Sequence, residues 1–441
     1  MSSKKFIAGA ASAVINCAVG DGLAGQLHKR VCRGIRDDLE ANLLYLSDGE
    51  RGLVFASCDL VDLETPFVAD AAARIAKAAR VPAGDVLIAC THTHAGPTTY
   101  SYIASDPVNE GYLEELKEKL AAAARAAVAS AVPARLGWGL GRAHIGFNRR
   151  LCWADGTHTM YGDTWKPGFT GLEGPDDPSH AVLFATDESG KTLCVVHNNT
   201  CHATCLESVE VASADFPGEA RRLIRESLGW KAPVLYLQGA AGDTSPWDLL
   251  KGPGRDGEPR LREIGKILAE ETLRLMKSAK TVPDAVLRPI SEVLRVKRRV
   301  PSAAEVAEAK RVMAEGEGSM EEYDKLFRYQ IKSSIVRLAE EDRKSDTEEM
   351  TISSFRIGDL AVTANPTELY CRFGLDIKRR SPAPLTMVVE LANGYSGYCP
   401  TYEGCMGGGY SGETSLWNRL ELSAGYRLVD IAVSQIHELW K

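Results

Sequence analysis

Hydrophobic and polar positions recur along this chain with two alternating periods. RGLVFASCDL (51–60) and DVLIAC (85–90) are short apolar runs bounded by charge, the pattern of buried strands. Between them, PFVADAAARIAKAAR (66–80) spaces Val, Ala and Ile at helical intervals. EGYLEELKEKLAAAARAAVAS (110–130) reads as a longer amphipathic helix. Further strands are predicted at ARLGWGLG (134–141), HAVLFATD (180–187) and TLCVVHNNT (192–200). PGEARRLIRESLG (217–229) is a helix that opens on proline, and APVLYLQG (232–239) is the next strand. The alternation predicts an α/β fold, a large mixed β-sheet core flanked by helices.

The pattern changes at 301–345, which is charged and helical throughout with a glycine break near 316–318. It reads as a helical hairpin inserted into a single α/β domain formed by 1–300 and 346–441. A solvated flank or an oligomer contact is the plainer role, a lid the sharper one. Sheet-like sequence resumes at 350–370, and GYRLVDIAVSQIHELWK closes the chain as an amphipathic helix.

With 44% hydrophobic and 25% charged residues among 441, the chain can bury a large core. A net charge of −7 and the lack of any Lys/Arg block argue against a nucleic-acid partner or an anionic membrane surface. No apolar stretch reaches the ~18–20 residues of a membrane helix, so no stable membrane insertion is expected. MSSKKFIAGAASAVINCAVG resembles a weak signal peptide, but Asn16 interrupts it, and a first strand within FIAGAASAVI is the preferred reading. Eleven scattered cysteines without dense pairing fit a reduced, cytoplasmic protein. A homodimer is the base-rate expectation.

Several apolar runs end in chemistry. CTHTHAGPT (90–98) places His92 and His94 two apart behind a strand, where an extended chain would point both rings to one side. HNNTCHATC (197–205) places His197, Cys201, His202 and Cys205 behind another. LYLQGAAGDTSP (235–246) is a strand and a glycine-rich turn, in which Ser245 could be a nucleophile or the turn could simply shape a pocket wall. Glu368 follows the strand LAVTA, and 392–414 is a Tyr- and Gly-rich loop carrying Tyr395, Tyr398, Tyr402 and Tyr410.

In order, THTHAGP, FNRR, CHAT…SADFPGEA, QGAAGDTSP, NPTEL and LANGYSGYCPTYEGCMGGGYSGETS resemble the neutral/alkaline (non-lysosomal) ceramidase family, in its amino-terminal catalytic domain. The resemblance covers nearly the whole chain. It implies a zinc amidase that releases a carboxylate and an amine from a small or lipid-like N-acyl substrate. Carried over by motif, His92, His202, Glu368 and Tyr398 are the Zn2+ ligands. His94 is the proton acceptor, and Arg149 and Tyr410 stabilise the oxyanion. Three rivals stand beside it: a serine hydrolase using Ser245, a non-catalytic metal-binding protein, and a structural zinc at Cys201, His202 and Cys205.

Overall fold

The structure, a computed structural model, describes residues 5–103, 108–252, 256–341 and 345–441. Residues 1–4 of the signal-like stretch and 342–344 of the predicted insertion lie outside the described residues.

Two sheets stack face to face. The larger runs in the order Val234–Gln238, Thr192–Asn199, Ser179–Asp187, Val132–Arg142, Ile7–Val14, Glu40–Ser47, Gly52–Cys58, Val86–Cys90. A short ninth strand, Thr281–Val282, pairs with Val132–Arg142. The inner pairs are antiparallel, whereas both edge pairs are parallel. Parallel pairs need a crossover. Helix Thr65–Ala79 supplies it at one edge and helix Asp215–Leu228 at the other. The smaller sheet orders Leu287–Lys297, Thr347–Ile357, Leu360–Ala364, Leu385–Val389. Its last pair is again parallel, joined through helix Cys371–Arg380.

The continuous apolar runs of the sequence belong to these parallel strands. Val86–Cys90, Val234–Gln238, Leu360–Ala364 and Leu385–Val389 are buried at every position. A strand covered on both faces does not alternate. Between the sheets, Phe55 meets Phe355 edge-on at 5.1 Å, amid Leu87, Leu235, Val362 and Met387. Each such side chain contributes about 1.5–3 kcal/mol on burial. Helices Thr65–Ala79 and Glu110–Ala129 cover the outer face of the larger sheet toward its Val86–Cys90 edge. Helices Asp215–Leu228 and Gly257–Ser278 cover its other half. Helix Ala424–Leu439 packs on the smaller sheet. The layers run helix, sheet, sheet, helix. Among the described residues, no helix is long and apolar enough to cross a membrane.

Leu287–Lys297 and Thr347–Ile357 stay paired from Leu287↔Ile357 to Lys297↔Thr347, and the chain between them forms helices Ala303–Met313 and Tyr323–Glu341. Ser302 opens the first with a capping box to Glu305. Gly316 and Gly318, at φ 90° and 79°, make the turn. The second helix buries Leu326, Ile335 and Leu338. Its Arg337 donates to the carbonyls of Tyr102 and Ser101, at 2.7 Å each, and so ties the hairpin to a loop beside the strand ends.

Candidate active site

Three crossovers deliver the site. His92 follows strand Val86–Cys90, His202 follows Thr192–Asn199, and Glu368 follows Leu360–Ala364, each by a few residues. The carboxyl ends of parallel strands are where open α/β sheets bind ligands. The two histidines of THTH do converge, but not as neighbours on an extended strand. The strand stops at Cys90 and His92 takes the left-handed conformation, φ 63°. That costs about 1–2 kcal/mol for a residue with a side chain. Two hydrogen bonds hold it there: His92 N–H to the Leu60 carbonyl (2.9 Å), and Nδ1 to the Val61 carbonyl (2.8 Å). The kink sets its ring edge-on to His94 and to His202, at 4.8 and 4.3 Å between centroids.

His202 Nδ1 lies 2.7 Å from the Ala241 carbonyl. A carbonyl oxygen only accepts, so both Nδ1 atoms carry the proton and both Nε2 atoms carry lone pairs. Those two Nε2 atoms are 2.9 Å apart. Glu368 Oε2 lies 3.4 Å from His92 Nε2 and 3.2 Å from His202 Nε2, and among the described residues it has no hydrogen-bond partner. Three electron-rich atoms thus face one another on side chains that are 2%, 0% and 3% exposed. Without a positive charge between them the cluster is repulsive in a low-dielectric interior. The donor set fits a divalent cation, since imidazole and carboxylate are ordinary zinc partners. Nitrogens of His92, His94 and His202 lie within 4.8 Å of one another, a group that could hold a metal. The space enclosed by His92, His94, Glu368, Tyr395, Tyr398 and Tyr410 is about 20 Å³. That is room for a single ion or water.

Electrostatics follow from burial and charge. Burial, then Arg149, then His92 pull the His202 pKa down to about 3. Burial and the two neighbouring imidazoles hold His94 well below its ordinary value. Both rings are therefore neutral near pH 7. Burial and then Glu368 push the Tyr398 and Tyr410 phenols up. A bound dication acts in the opposite sense on a phenol beside it.

Arg149 spans the site. Nη1 donates to Tyr161 Oη (3.1 Å) and Nη2 meets His202 Nε2 (2.8 Å), the Gly242 carbonyl (3.1 Å) and Tyr398 Oη (3.1 Å). A cation on the His202 lone pair competes with that Nη2 contact. The glycine-rich turn forms a wall: Gly242 N–H donates to the Leu369 carbonyl (2.9 Å), and a Cβ at Gly242 would strike the Glu368 carbonyl. At Gly25, φ 96°, a Cβ would lie 2.5 Å from the His94 ring.

The structure therefore brings together His92, His94, His202, Glu368, Tyr398, Arg149 and Tyr410. Ser245 lies apart, on a two-residue strand paired to Phe147, its Oγ engaged with the Trp247 backbone N–H (3.3 Å) and carbonyl (3.4 Å). Cys201 and Cys205 belong to a separate apolar cluster with Phe216 and Tyr236. His197 turns away from His202 toward His180 and Tyr236. Sequence reasoning did not find the Tyr395 hydroxyl on Glu368 Oε1 (2.9 Å), Tyr161 on Arg149, or the carbonyls that orient the imidazoles. Of these only Tyr395 had a signal, its place in the Tyr-rich loop.

Beyond the inner space lies a chamber of about 420 Å³, with His94, Arg149 and Tyr398 at its base and Tyr323 and Phe327 of the hairpin in its wall. A larger surface groove, about 1310 Å³, lies elsewhere. Two of its arginines are paired, Arg225 with Glu40 at 2.7 Å and Arg221 with Asp59 at 2.8 Å.

No family model and no curated protein matches this sequence. Among solved structures, a ceramidase complexed with C2 is similar with a TM-score of 0.75 and 19% identity, over 99% of this chain and 75% of its own. The neutral ceramidase from Pseudomonas aeruginosa is similar with a TM-score of 0.74 and 20% identity, over 98% of this chain and 75% of its own. Nearly the whole of this chain has the fold of the neutral ceramidases.

Proposed function

We propose that the chain is a hydrolase of N-acyl (amide) linkages that works with one divalent cation, zinc, held by His92, His202, Glu368 and Tyr398. The observation that carries this reading is the 2.9 Å approach of two lone-pair-bearing Nε2 atoms beside an unpartnered Glu368 Oε2. The fold shared with two ceramidases supports an amide as the bond cleaved.

The chemistry a dication supplies in this donor set is Lewis acidity, which activates water at neutral pH and polarises an acyl carbonyl. The chain's own residues do the rest. His94 borders both the inner space and the outer chamber, so its neutral ring can take the proton of the attacking water and return it to the leaving nitrogen. Arg149 and Tyr410 supply donors for the developing oxyanion, each of a kind that contributes about 2.7–4 kcal/mol. Tyr395 fixes the Glu368 carboxylate, leaving Oε2 to face the imidazoles. Ser245 has no part here, because its hydroxyl is held by the Trp247 backbone.

A second reading makes His94 a third nitrogen ligand, favoured by its Nε2 lying 3.3 Å from His92 Nε2. Metal analysis with kinetics separates the two. About one zinc per chain is expected, lost in His92→Ala and Glu368→Gln. His94→Ala should keep the zinc and lose turnover if His94 is the proton acceptor, and lose both if it is a ligand. Unchanged zinc in His92→Ala would overturn the ligand set.

A further inference from the structure

The outer chamber has two unlike walls. One is a ladder of rings from three parts of the chain. Tyr323 stacks on Phe327 (6.1 Å, 26°) and Phe327 on Tyr410 (6.0 Å, 29°), and Tyr410 rests on the buried Trp417 behind the wall (5.4 Å, 29°). His28 closes the outer end edge-on to Tyr323 at 6.1 Å. The other wall is polar: Gln26 Nε2 donates to Glu207 Oε2 at 3.0 Å, with Ser208 beside them. Tyr323 and Met320, 42% and 53% exposed, form the rim. At about 420 Å³, the chamber is near the small end of the roughly 300–1,000 Å³ spanned by ligand pockets.

We propose that this chamber selects a compact N-acyl compound with a planar aromatic acyl group, of the arylacetyl or benzoyl type, and rejects long aliphatic acyl chains. The inference rests on the amidase reading and names its substrate class. A long chain needs a continuous apolar trough, and the Gln26–Glu207 pair interrupts one here. A flexible chain also loses freedom at every bond it orders, whereas a flat ring orders as one piece. Because the rings stack on one another, their edges line the chamber, and a ring edge favours the face of an aromatic partner. The polar wall is left for the hydrogen-bonding amine portion. Because Tyr323 and Phe327 come from the hairpin and Tyr410 from the ligand-bearing loop, docking of the hairpin creates this selectivity. The hairpin is a specificity wall of the site.

The test uses the zinc-loaded full chain and three amides of one reporter amine, an aminocoumarin: acetyl, phenylacetyl and palmitoyl. The expected kcat/KM for phenylacetyl exceeds both others by about tenfold. Phe327→Ala should reduce the phenylacetyl-to-acetyl ratio severalfold, and so should Tyr323→Ala, a rim change that leaves the core alone. Near-ultraviolet circular dichroism verifies that both variants fold. Binding of phenylacetate and palmitate, read from intrinsic fluorescence, gives a measure independent of turnover. Palmitoyl matching or exceeding phenylacetyl, or acyl ratios unmoved in both variants, would overturn the proposal. If no amide is hydrolysed but phenylacetate binds better than palmitate and depends on Phe327, the chamber's selectivity stands and the amidase reading falls.

Discussion

Tyr395 gives its hydroxyl to one oxygen of Glu368, and that single bond decides which oxygen faces the imidazoles. Tyr395→Phe removes the bond and keeps the ring. We expect a fall in zinc affinity of about 10–100-fold, the usual effect of losing a partner that orients a ligand. Competition with a chromophoric chelator measures it, and a thermal melt should show little change without metal. The site was partly legible from residue types alone. His92, His202 and Glu368 stand directly behind apolar runs, where a polar side chain is out of place unless it serves a site. The kink at His92 was not legible, because φ 63° is fixed by the Leu60 and Val61 carbonyls, which leave no mark in a residue pattern. Tyr161 beside Arg149 was hidden for the same reason: any tyrosine could pack, and only the fold says which one donates.

At the scale of elements, the strands and helices followed from period and end signals, as Gly229 at φ 73° shows for the helix Asp215–Leu228. The hairpin followed too, but its docking did not. Its apolar stripe is narrow among many charges, so the sequence reads as solvated, whereas Leu326, Ile335 and Leu338 are buried and Arg337 grips two carbonyls. Arg337→Ala removes both bonds. Hydrogen bonds to a charged group contribute about 1.5–3 kcal/mol when buried, less at this partly exposed position. We expect the hairpin to open more often while the sheets hold. Limited proteolysis should cut faster within 314–322, and the global unfolding midpoint should move little. Equal loss of both would mean that the hairpin unfolds only with the whole.

At the scale of the molecule, the buried histidines outside the site shape the response to acid. His180 and His197 lie with ring centroids 5.6 Å apart, and His180 Nε2 meets the Thr272 hydroxyl at 2.9 Å. Burial lowers the His180 pKa from 6.5 to about 4, against a weaker opposing pull from Glu271. Between those values the unfolded chain binds a proton that the fold refuses. The contribution of neutral His180 is therefore complete above pH 6.5 and is lost as the pH falls to about 4, a difference of about 3 kcal/mol. His180→Gln keeps a partner for Thr272 and removes the titration. Relative to the parent, it should gain about 3 kcal/mol between pH 7 and pH 4, read from urea unfolding at both values. No relative gain would place the His180 proton equilibrium elsewhere. The strand pair that carries the hairpin has a consequence of another kind. Lys297 and Thr347 stand opposite each other, so the chain departs and returns at one spot. A graft of different length or sequence could replace the hairpin there and leave His92, His202 and Glu368 in place, since these follow other strands, while removing the Phe327 ring that stacks on Tyr410. The chamber wall could thus diverge among descendants of this chain by exchange of one cassette, with His92, His202 and Glu368 inherited in place.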